Sequence, residues 1–287
     1  MFENALSVPE LVSLVEARKL ARRWGFSSLI TLPDGNAKLG ADTRYFNAGV
    51  TLAQGNLSGH EVCHGRGACF KFGDVNPCLG NWGRSEGDAG RILNSRIGRT
   101  RCLFEAPEDF DRILRAELLK VHRMADRRGV PVAFRPNVLS DYPWHRSRFA
   151  WIFEAFSEWE FYGYTKIRST YSAFLRGELP ENYHLTFSYS ENVPDSYLID
   201  VLQRGGTVAV PFATKSVRGF PARFLGFPVR EGVSSDLRFL DDGGTVIGLT
   251  AKAPRAKVAR ESFLNVVTNS GFFVDPTESR CSGAYLC

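Results

Sequence analysis

The sequence has no hydrophobic run that is long enough to cross a membrane. A transmembrane helix needs about 20 consecutive, mostly apolar residues, and no segment of the 287 residues approaches such a run. Residues 1–24 also lack the apolar block and the cleavage site of a signal peptide. We therefore expect a cytoplasmic protein that does not bind membranes, in a reducing compartment where disulfides are rare.

The common signatures of nucleotide-binding folds are missing as well. No Gly-x-Gly-x-x-Gly turn follows the first predicted strand, and no Walker loop is present. No internal repeat of fixed period is visible either. The chemistry must therefore be inferred from the cysteines, the charges and the polar groups along the chain.

The charge balance permits an anionic partner but does not demand one. The formal net charge is +5, and arginines are spread along the whole chain. The densest group of arginines follows the cysteines and consists of Arg84, Arg91, Arg96, Arg99 and Arg101. The expected partner is an anionic small molecule or a nucleic acid, and the sequence does not fix the oligomeric state.

Three of the six cysteines fall in one glycine-rich loop with the spacing Cys-x5-Cys-x8-Cys. They are the predicted metal ligands Cys63, Cys69 and Cys78. Thiolates are soft ligands, which favours zinc or an iron–sulfur cluster with one open coordination position. Candidates for a fourth ligand are His60, His64 and Cys102. Free thiols and a disulfide are the alternatives, and Cys281 and Cys287 lie in a tail that reads as poorly ordered.

Short apolar runs alternate with helical patterns over more than two hundred residues. The predicted strands are 28–32, 130–135, 161–166, 184–188, 207–212, 224–229 and 245–250, and the predicted helices are 9–24, 107–128, 145–159, 171–176 and 194–204. This alternation predicts an α/β protein with a parallel sheet, because parallel strands need helical crossovers. We expect a single-domain (β/α)-barrel-like fold at 28–255 with the cysteine loop at 58–102, between an N-terminal helix at 1–27 and a C-terminal extension at 256–287.

Polar and charged residues follow six of the predicted strands, where the active site of a (β/α) barrel lies. The predicted catalytic residues are Asp141, Tyr164, Lys166 and Glu191. The predicted substrate-binding residues are Arg135, Asn137, Ser188, Ser190, Asp236, Arg238 and Lys252. The cations favour an anionic ligand and the carboxylates could serve as acids or bases. Internal salt bridges are the alternative, and residues 234–242 could equally form a surface hairpin.

Several of these segments together resemble the bacteriophage "gene eighty-eight" family. The matching motifs are 49–53 with 58–59, 135–137 with 140–141, 164–166, 185–191, and 236–239 with 249–252. The resemblance covers roughly residues 28 to 255 and implies a phage protein in the host cytoplasm. That family is in turn similar to radical S-adenosylmethionine proteins, which have a cysteine loop before a (β/α) barrel. This second resemblance adds S-adenosylmethionine as a candidate cofactor, although eight residues separate Cys69 from Cys78 where those proteins usually have two.

These observations favour an enzyme with a cysteine-bound metal or iron–sulfur centre that acts on an anionic substrate, such as a nucleotide or a nucleic acid. A zinc-stabilised accessory protein that binds nucleic acid without catalysis is the first alternative. A structural or virion-associated protein, in which the strand-end groups are merely solvated, is the second.

Overall fold

The computed structural model describes residues 12–35, 39–67, 69, 76–81, 90–252 and 257–277. Within these ranges the chain is a mixed α/β protein with seven helices and nine strands, as the alternating pattern predicts. The helices are α1 (Leu14–Arg23), α2 (Arg91–Glu105), α3 (Pro107–Arg128), α4 (Trp151–Ala155), α5 (Arg168–Leu175), α6 (Asp195–Gln203) and α7 (Lys257–Asn269). The strands are β1 (Ile30–Thr31), β2 (Phe46–Val50), β3 (Val132–Arg135), β4 (Glu160–Thr165), β5 (Tyr183–Ser188), β6 (Val208–Phe212), β7 (Arg223–Phe224), β8 (Phe227–Glu231) and β9 (Val246–Thr250). Among the described residues, no helix is long and apolar enough to span a membrane.

The chain divides into two compact units. The first unit contains Met1–His64, Asp88–Gly163 and Gly177–His184, and the second contains Gly65–Gly87, Tyr164–Arg176 and Leu185–Cys287. In the first unit the strand order is β1-β2-β3 followed by the first four residues of β4, and in the second it is β5 from Leu185 onward followed by β6-β9-β8-β7. The predicted domain boundaries at 27 and 255 are not tested by this division and stay a prediction.

Most strand pairs are parallel, but the predicted barrel is not confirmed. Parallel pairing joins β2 to β3, β3 to β4, β5 to β6, β6 to β9 and β8 to β9. The pairs β1–β2 and β7–β8 are antiparallel. Each antiparallel pair lies at one end of its unit's strand order, and among the described strands no pairing closes either set into a ring.

Helix α3 and a buried carboxylate organise the first unit. The helix begins at Pro107 and ends before Gly129, whose φ of 63° allows the left-handed turn that stops it. Glu117 on this helix is buried and accepts hydrogen bonds from the amides of Leu29 (3.0 Å) and Ile30 (2.7 Å) and from the hydroxyl of Ser28 (2.8 Å). Burial raises the pKa of Glu117, although these hydrogen bonds oppose the shift. The carboxylate thereby ties the start of β1 to the helix.

Two features of the first unit differ from the sequence-based prediction. Strand β2 was not predicted, because all five of its residues are buried and its Phe-Asn-Ala-Gly-Val sequence shows no alternation. The helix predicted at 145–159 is instead a 3-10 turn at Trp144–Arg146 followed by the short α4. The Ser147 hydroxyl donates to the Trp144 carbonyl (2.9 Å) and accepts from the Phe149 amide (3.1 Å), which separates the two turns.

A hairpin divides the strand predicted at 224–229 in the second unit. Leu225 and Gly226 have positive φ values of 53° and 85°, which turn the chain back between β7 and β8. Leu225 tolerates this conformation as a buried side chain. Residues 234–242, the candidate surface hairpin, contain a 3-10 turn at Arg238–Leu240 and no strand.

Candidate functional site

In the first unit, the side chain of Asn137 makes hydrogen bonds within the loop after β3. It is 4% exposed and its Oδ1 accepts from the Ser140 hydroxyl (2.7 Å), the Tyr142 amide (3.2 Å) and the Trp144 indole N–H (3.1 Å). Its Nδ2 donates to the Tyr142 carbonyl at 2.8 Å. An amide that makes these hydrogen bonds shapes the loop after β3, and the substrate-binding role of Asn137 stays a prediction.

Arg135 and Asp141 flank the same loop. The Arg135 Nε donates to the Asn137 carbonyl at 3.1 Å, and its guanidinium carbon lies 6.0 Å from the centre of the Tyr162 ring. The Asp141 amide donates to the Val62 carbonyl at 2.8 Å, which joins this loop to the start of the cysteine segment. Burial and, second, the Asp141 carboxylate raise the pKa of Tyr183. These contacts of Arg135 and Asp141 all lie within the first unit.

In the second unit, the charged side chain of Lys166 contacts two other segments of the chain. Lys166 follows β4, is half-buried, and its ammonium group donates to the carbonyl of Tyr189 after β5. The same ammonium lies 5.5 Å from the centre of the Phe272 ring, a distance at which the ring face attracts a cation. Lys166 thus places a positive charge beside the segment that carries Ser190 and Glu191.

Ser190 and Glu191 form a hydrogen-bonded group after β5. The Ser190 hydroxyl is buried and donates to Glu191 Oε2 at 3.2 Å, while Asn192 Nδ2 donates to Glu191 Oε1 at 2.9 Å. Glu191 itself is half-buried. These bonds hold a carboxylate in one orientation while leaving it in reach of solvent, as an acid or base requires.

Two glycines bring the loop before Cys69 against this group. A Cβ at Gly67 would lie 2.2 Å from Glu191 Oε1 and 2.9 Å from Ser190 Oγ. A Cβ at Gly65 would lie 2.8 Å from Lys166 Cβ and 2.9 Å from its carbonyl carbon. A side chain at residue 65 would meet the Lys166 backbone, and one at residue 67 would have to displace the Glu191 carboxylate. The Gly-Arg-Gly sequence therefore fits the loop to the strand ends, with half-buried Arg66 between the two glycines.

Tyr164 and Asp236 also meet in the second unit. The Tyr164 hydroxyl donates to Asp236 Oδ1 at 3.4 Å, and Asp236 is 2% exposed. This contact brings the loop after β8 to the carboxyl end of β4. The pair could pass a proton between phenol and carboxylate or orient a polar ligand.

Arg238 is a buried residue of the loop after β8. Its Nη2 donates to the Ser235 carbonyl at 2.7 Å, and its Nη1 lies 3.2 Å from Asp241 Oδ2. Burial raises the pKa of Asp241 to about 6 against the opposing effect of Arg238, and the neighbouring carboxylates of Asp242, Glu231 and Asp236 add to the rise. This arrangement stabilises the loop and matches the internal salt bridge that the sequence left as the alternative for Arg238.

The predicted residues that remain are two at strand ends and two cysteines. Ser188 is the half-buried last residue of β5, and Lys252 is exposed two residues after β9. Cys69 packs against an apolar cluster of Phe263, Val267, Phe272 and Phe273. The Cys78 amide donates to Asn76 Oδ1 at 3.1 Å. That all the predicted strand-end residues line one cavity stays a prediction.

The predicted metal centre finds no support among the described residues. No group of three or more His, Cys, Asp or Glu side chains in these ranges could hold a metal ion. Cys63 belongs to the first unit, where its thiol accepts from the Gly55 amide (3.4 Å) and donates to the Leu139 carbonyl (3.9 Å), whereas Cys69 and Cys78 belong to the second. The described cysteines form no disulfide with one another.

The candidate fourth ligands have other environments. His60 lies 3.1 Å from Glu105 Oε1 and stacks on Phe104 at 4.7 Å. Cys102 is buried, which raises the pKa of its thiol to about 12. His60 and His64 also complete a His-Glu-x-x-His string that the sequence reasoning overlooked. A zinc site of that type needs both histidines on one helical face, but these residues form an irregular loop and a turn.

Sequence reasoning missed the part that Gly65, Arg66 and Gly67 play beside Lys166 and Glu191. The closely spaced glycines were a visible signal, but which groups they approach depends on the tertiary fold. Arg84, Cys281 and Cys287 lie outside the described residues.

The strands and their polar ends define an α/β protein in which the second unit contains a charged strand-end site. The family described as Gene product 88 matches residues 26–266, so the chain belongs to this family. The expected likeness to a phage gene-product family is thereby confirmed, whereas the likeness to radical S-adenosylmethionine proteins is not supported. No curated protein and no solved structure matches the chain.

Proposed function

We propose that the protein is an enzyme that binds an anionic substrate, of the nucleotide or nucleic-acid class, at the strand ends of its second unit. Lys166 supplies positive charge for a phosphate or carboxylate group. Ser190 and the backbone of residues 65–67 supply hydrogen bonds, and Glu191 serves as the acid or base. Tyr164 with Asp236 orients the substrate or relays a proton.

The observation that carries this proposal is the close approach of Gly65 and Gly67 to Lys166 and Glu191. A Cβ at either glycine would come within 3.0 Å of these residues. Glycine loops that place backbone amides beside a lysine are a common way of binding phosphate groups. A loop that only connects two segments would not need this close contact, because most connecting loops lie on the surface and tolerate side chains there.

Calorimetric titration with inorganic phosphate and with a mononucleotide tests the binding step. The Lys166→Ala variant should bind at least about tenfold more weakly than the parent, because a charge-assisted contact that is shielded from water contributes about 1.5–3 kcal/mol. Lys19→Ala removes the same charge from an exposed site on α1 and should leave binding unchanged. A parent protein that binds neither probe contradicts the proposal and favours a structural role.

Turnover separates the enzyme from the accessory protein. Incubation with mononucleotides and oligonucleotides, followed by chromatography of the products, should reveal conversion by the parent. Glu191→Gln should lose conversion while binding the same probes. Binding without any conversion by the parent would favour the accessory role instead.

A cysteine-bound zinc or iron–sulfur centre, with or without S-adenosylmethionine, is a separate proposal that rests on the Cys-x5-Cys-x8-Cys spacing. Metal and acid-labile sulfide measurements on protein purified without oxygen test it. Stoichiometric metal that is lost in Cys69→Ser would support the centre, and a metal-free folded protein would eliminate it. The strand-end proposal does not depend on the result.

A further inference from the structure

The second unit contains a stretch of sequence with cations and no acidic residue. Residues 205–230 include no aspartate or glutamate, and they carry Lys215, Arg218, Arg223 and Arg230. All four side chains are exposed. Residues 213–230, which contain all four, are named the basic segment below.

Aromatic side chains anchor the basic segment from its inner side. Phe220 and Phe224 both contact Phe212 of β6, with ring centres 5.5 and 5.9 Å apart. A Cβ at Gly248 of β9 would lie 2.8 Å from the Phe220 ring, so this glycine admits the ring against the strand. The apolar groups therefore hold the segment on the strands while the cations project from its outer surface.

Local hydrogen bonds fix the backbone between these anchors. The Thr214 hydroxyl accepts from the Ser216 amide (3.3 Å), and the Ser216 hydroxyl accepts from the Arg218 amide (3.2 Å) at the start of the turn Val217–Gly219. The Arg223 guanidinium donates to the Gly226 carbonyl across the β7–β8 hairpin. The cations are thus presented by an ordered backbone, which lowers the entropy that binding would cost.

No carboxylate among the described residues forms an ion pair with these four cations, whereas Arg101 and Arg148 of the first unit pair with Glu105 and Glu108. The acidic residue next in sequence, Glu231, instead accepts from the amides of Val233 (2.9 Å) and Ser234 (3.1 Å). Within the part of the chain that the structure describes, the basic segment is therefore an exposed patch of positive charge without ion pairs.

We propose that the basic segment binds the phosphate backbone of a nucleic acid. The regular negative charge of such a backbone complements several fixed cations, and hydroxyl and backbone groups such as those at Ser216 commonly add phosphate contacts. A membrane surface fits less well, because binding there also needs a broad apolar face. Val217, 42% exposed, is the one large apolar side chain of the segment that is exposed. Its four cations are not residues of the Lys166–Glu191 site, and the inference does not require that site to be catalytic.

Salt-dependent binding of a labelled oligonucleotide, in single-stranded and duplex form, tests the inference. The parent should bind more weakly as salt rises. The quadruple variant K215Q/R218Q/R223Q/R230Q should bind at least about tenfold more weakly at low salt. Its duplex plot of log affinity against log salt should be shallower by roughly 3 to 4, since each phosphate contact contributes about 0.9.

A matched control removes the same charge elsewhere. The variant R18Q/K19Q/R22Q/R23Q replaces four exposed cations of α1 and should keep the parent's affinity and slope. Equal losses in both variants would overturn the inference, because net charge alone would then explain binding. Binding to anionic phosphatidylglycerol vesicles without binding to either oligonucleotide would overturn it too.

The experiments distinguish a wrong inference about nucleic-acid binding from a wrong proposal about the enzyme. Loss of oligonucleotide binding in the quadruple variant with unchanged mononucleotide titration supports a separate surface. Loss of both in that variant contradicts a separate surface, provided that its circular dichroism and melting temperature match the parent's.

Discussion

The two units place similar residue types after parallel strands and use them differently. In the first unit, Asn137 after β3 directs its polar atoms to groups of its own loop, as Glu117 on α3 does to the backbone of β1. In the second, Lys166 and Glu191 keep charge beside a glycine loop that fits against them. The difference indicates that a polar residue at a strand end can be judged as a candidate for function only once its hydrogen bonds to neighbouring groups are known.

The cations show the same contrast. Some arginines of the first unit pair with nearby carboxylates, such as Arg44 with Asp42 at 2.7 Å and Arg115 with Asp111 at 2.5 Å, and Arg238 of the second unit pairs with Asp241 in the same way. The exposed cations of the basic segment in the second unit have no such pairs within the described residues. We interpret the first unit as the scaffold and the second as the part that meets anionic ligands.

The largest expected effect tests the scaffold. Glu117→Ala leaves the buried amides of Leu29 and Ile30 without their acceptor and should lower the free energy of unfolding by about 3 kcal/mol, since each unsatisfied buried donor costs about 1–3 kcal/mol. Urea denaturation measures the change. The exposed Glu154→Ala should change stability by less than about 0.5 kcal/mol. Equal, small effects in both variants would contradict the role assigned to Glu117.

A smaller effect is expected at Asn137. Asn137→Ala removes the acceptor of the Tyr142 amide and the Trp144 indole, so the free energy of unfolding should fall by about 2 kcal/mol. Mononucleotide titration should be unchanged under conditions in which the variant is folded. If binding is lost while stability is retained, Asn137 is the substrate ligand that the sequence predicts, and the comparison between the units is wrong.

The smallest effect concerns the pH dependence of the second unit. The pKa of Asp241 is raised from 3.8 to about 6, so the folded state retains this proton at pH values where the unfolded state loses it. The stabilisation that the raised pKa of Asp241 gives to the folded state is therefore complete below about pH 4 and is lost as the pH rises through 6. Asp241→Asn cannot titrate, and its stability relative to the parent should increase over this window. Urea midpoints measured across the window check this.

The exposed, non-titrating Gln203→Ala on α6 is the control for that experiment. Its stability relative to the parent should stay constant between pH 4 and 6, because the substitution removes no ionisable group. A flat difference for Asp241→Asn would show that its carboxyl titrates as in an unfolded chain.

Local patterns were sufficient to predict much of the fold. The bounds of α3 follow from Pro107, from the apolar spacing and from Gly129. Strand β2 escaped prediction because its burial on both faces removes the alternation that identifies a strand. The division of 224–229 into a hairpin depends on Leu225 taking a positive φ, which its sequence does not signal.

The candidate site was predictable in its parts but not in its assembly. Lys166, Ser190 and Glu191 could be selected because each follows a strand whose carboxyl end points to one edge. The fit of Gly67 against Glu191 could not, because it joins segments that are remote in sequence. The internal use of Asn137 was equally hidden, since an asparagine that binds a ligand and one that shapes a loop have the same local sequence.

Calorimetric titration of a mononucleotide into Gly65→Ala and Gly35→Ala tests the central claim most directly. The added methyl at residue 65 would lie 2.8 Å from Lys166 Cβ and 2.9 Å from the Lys166 carbonyl carbon, whereas at residue 35 it would lie 3.2 Å from the Thr31 methyl group in the first unit. Gly65→Ala should bind at least about tenfold more weakly than the parent, a loss of about 1.4 kcal/mol, and Gly35→Ala should bind like the parent. Equal affinity in the parent and in both variants would contradict the assignment of the anion site to the strand ends of the second unit.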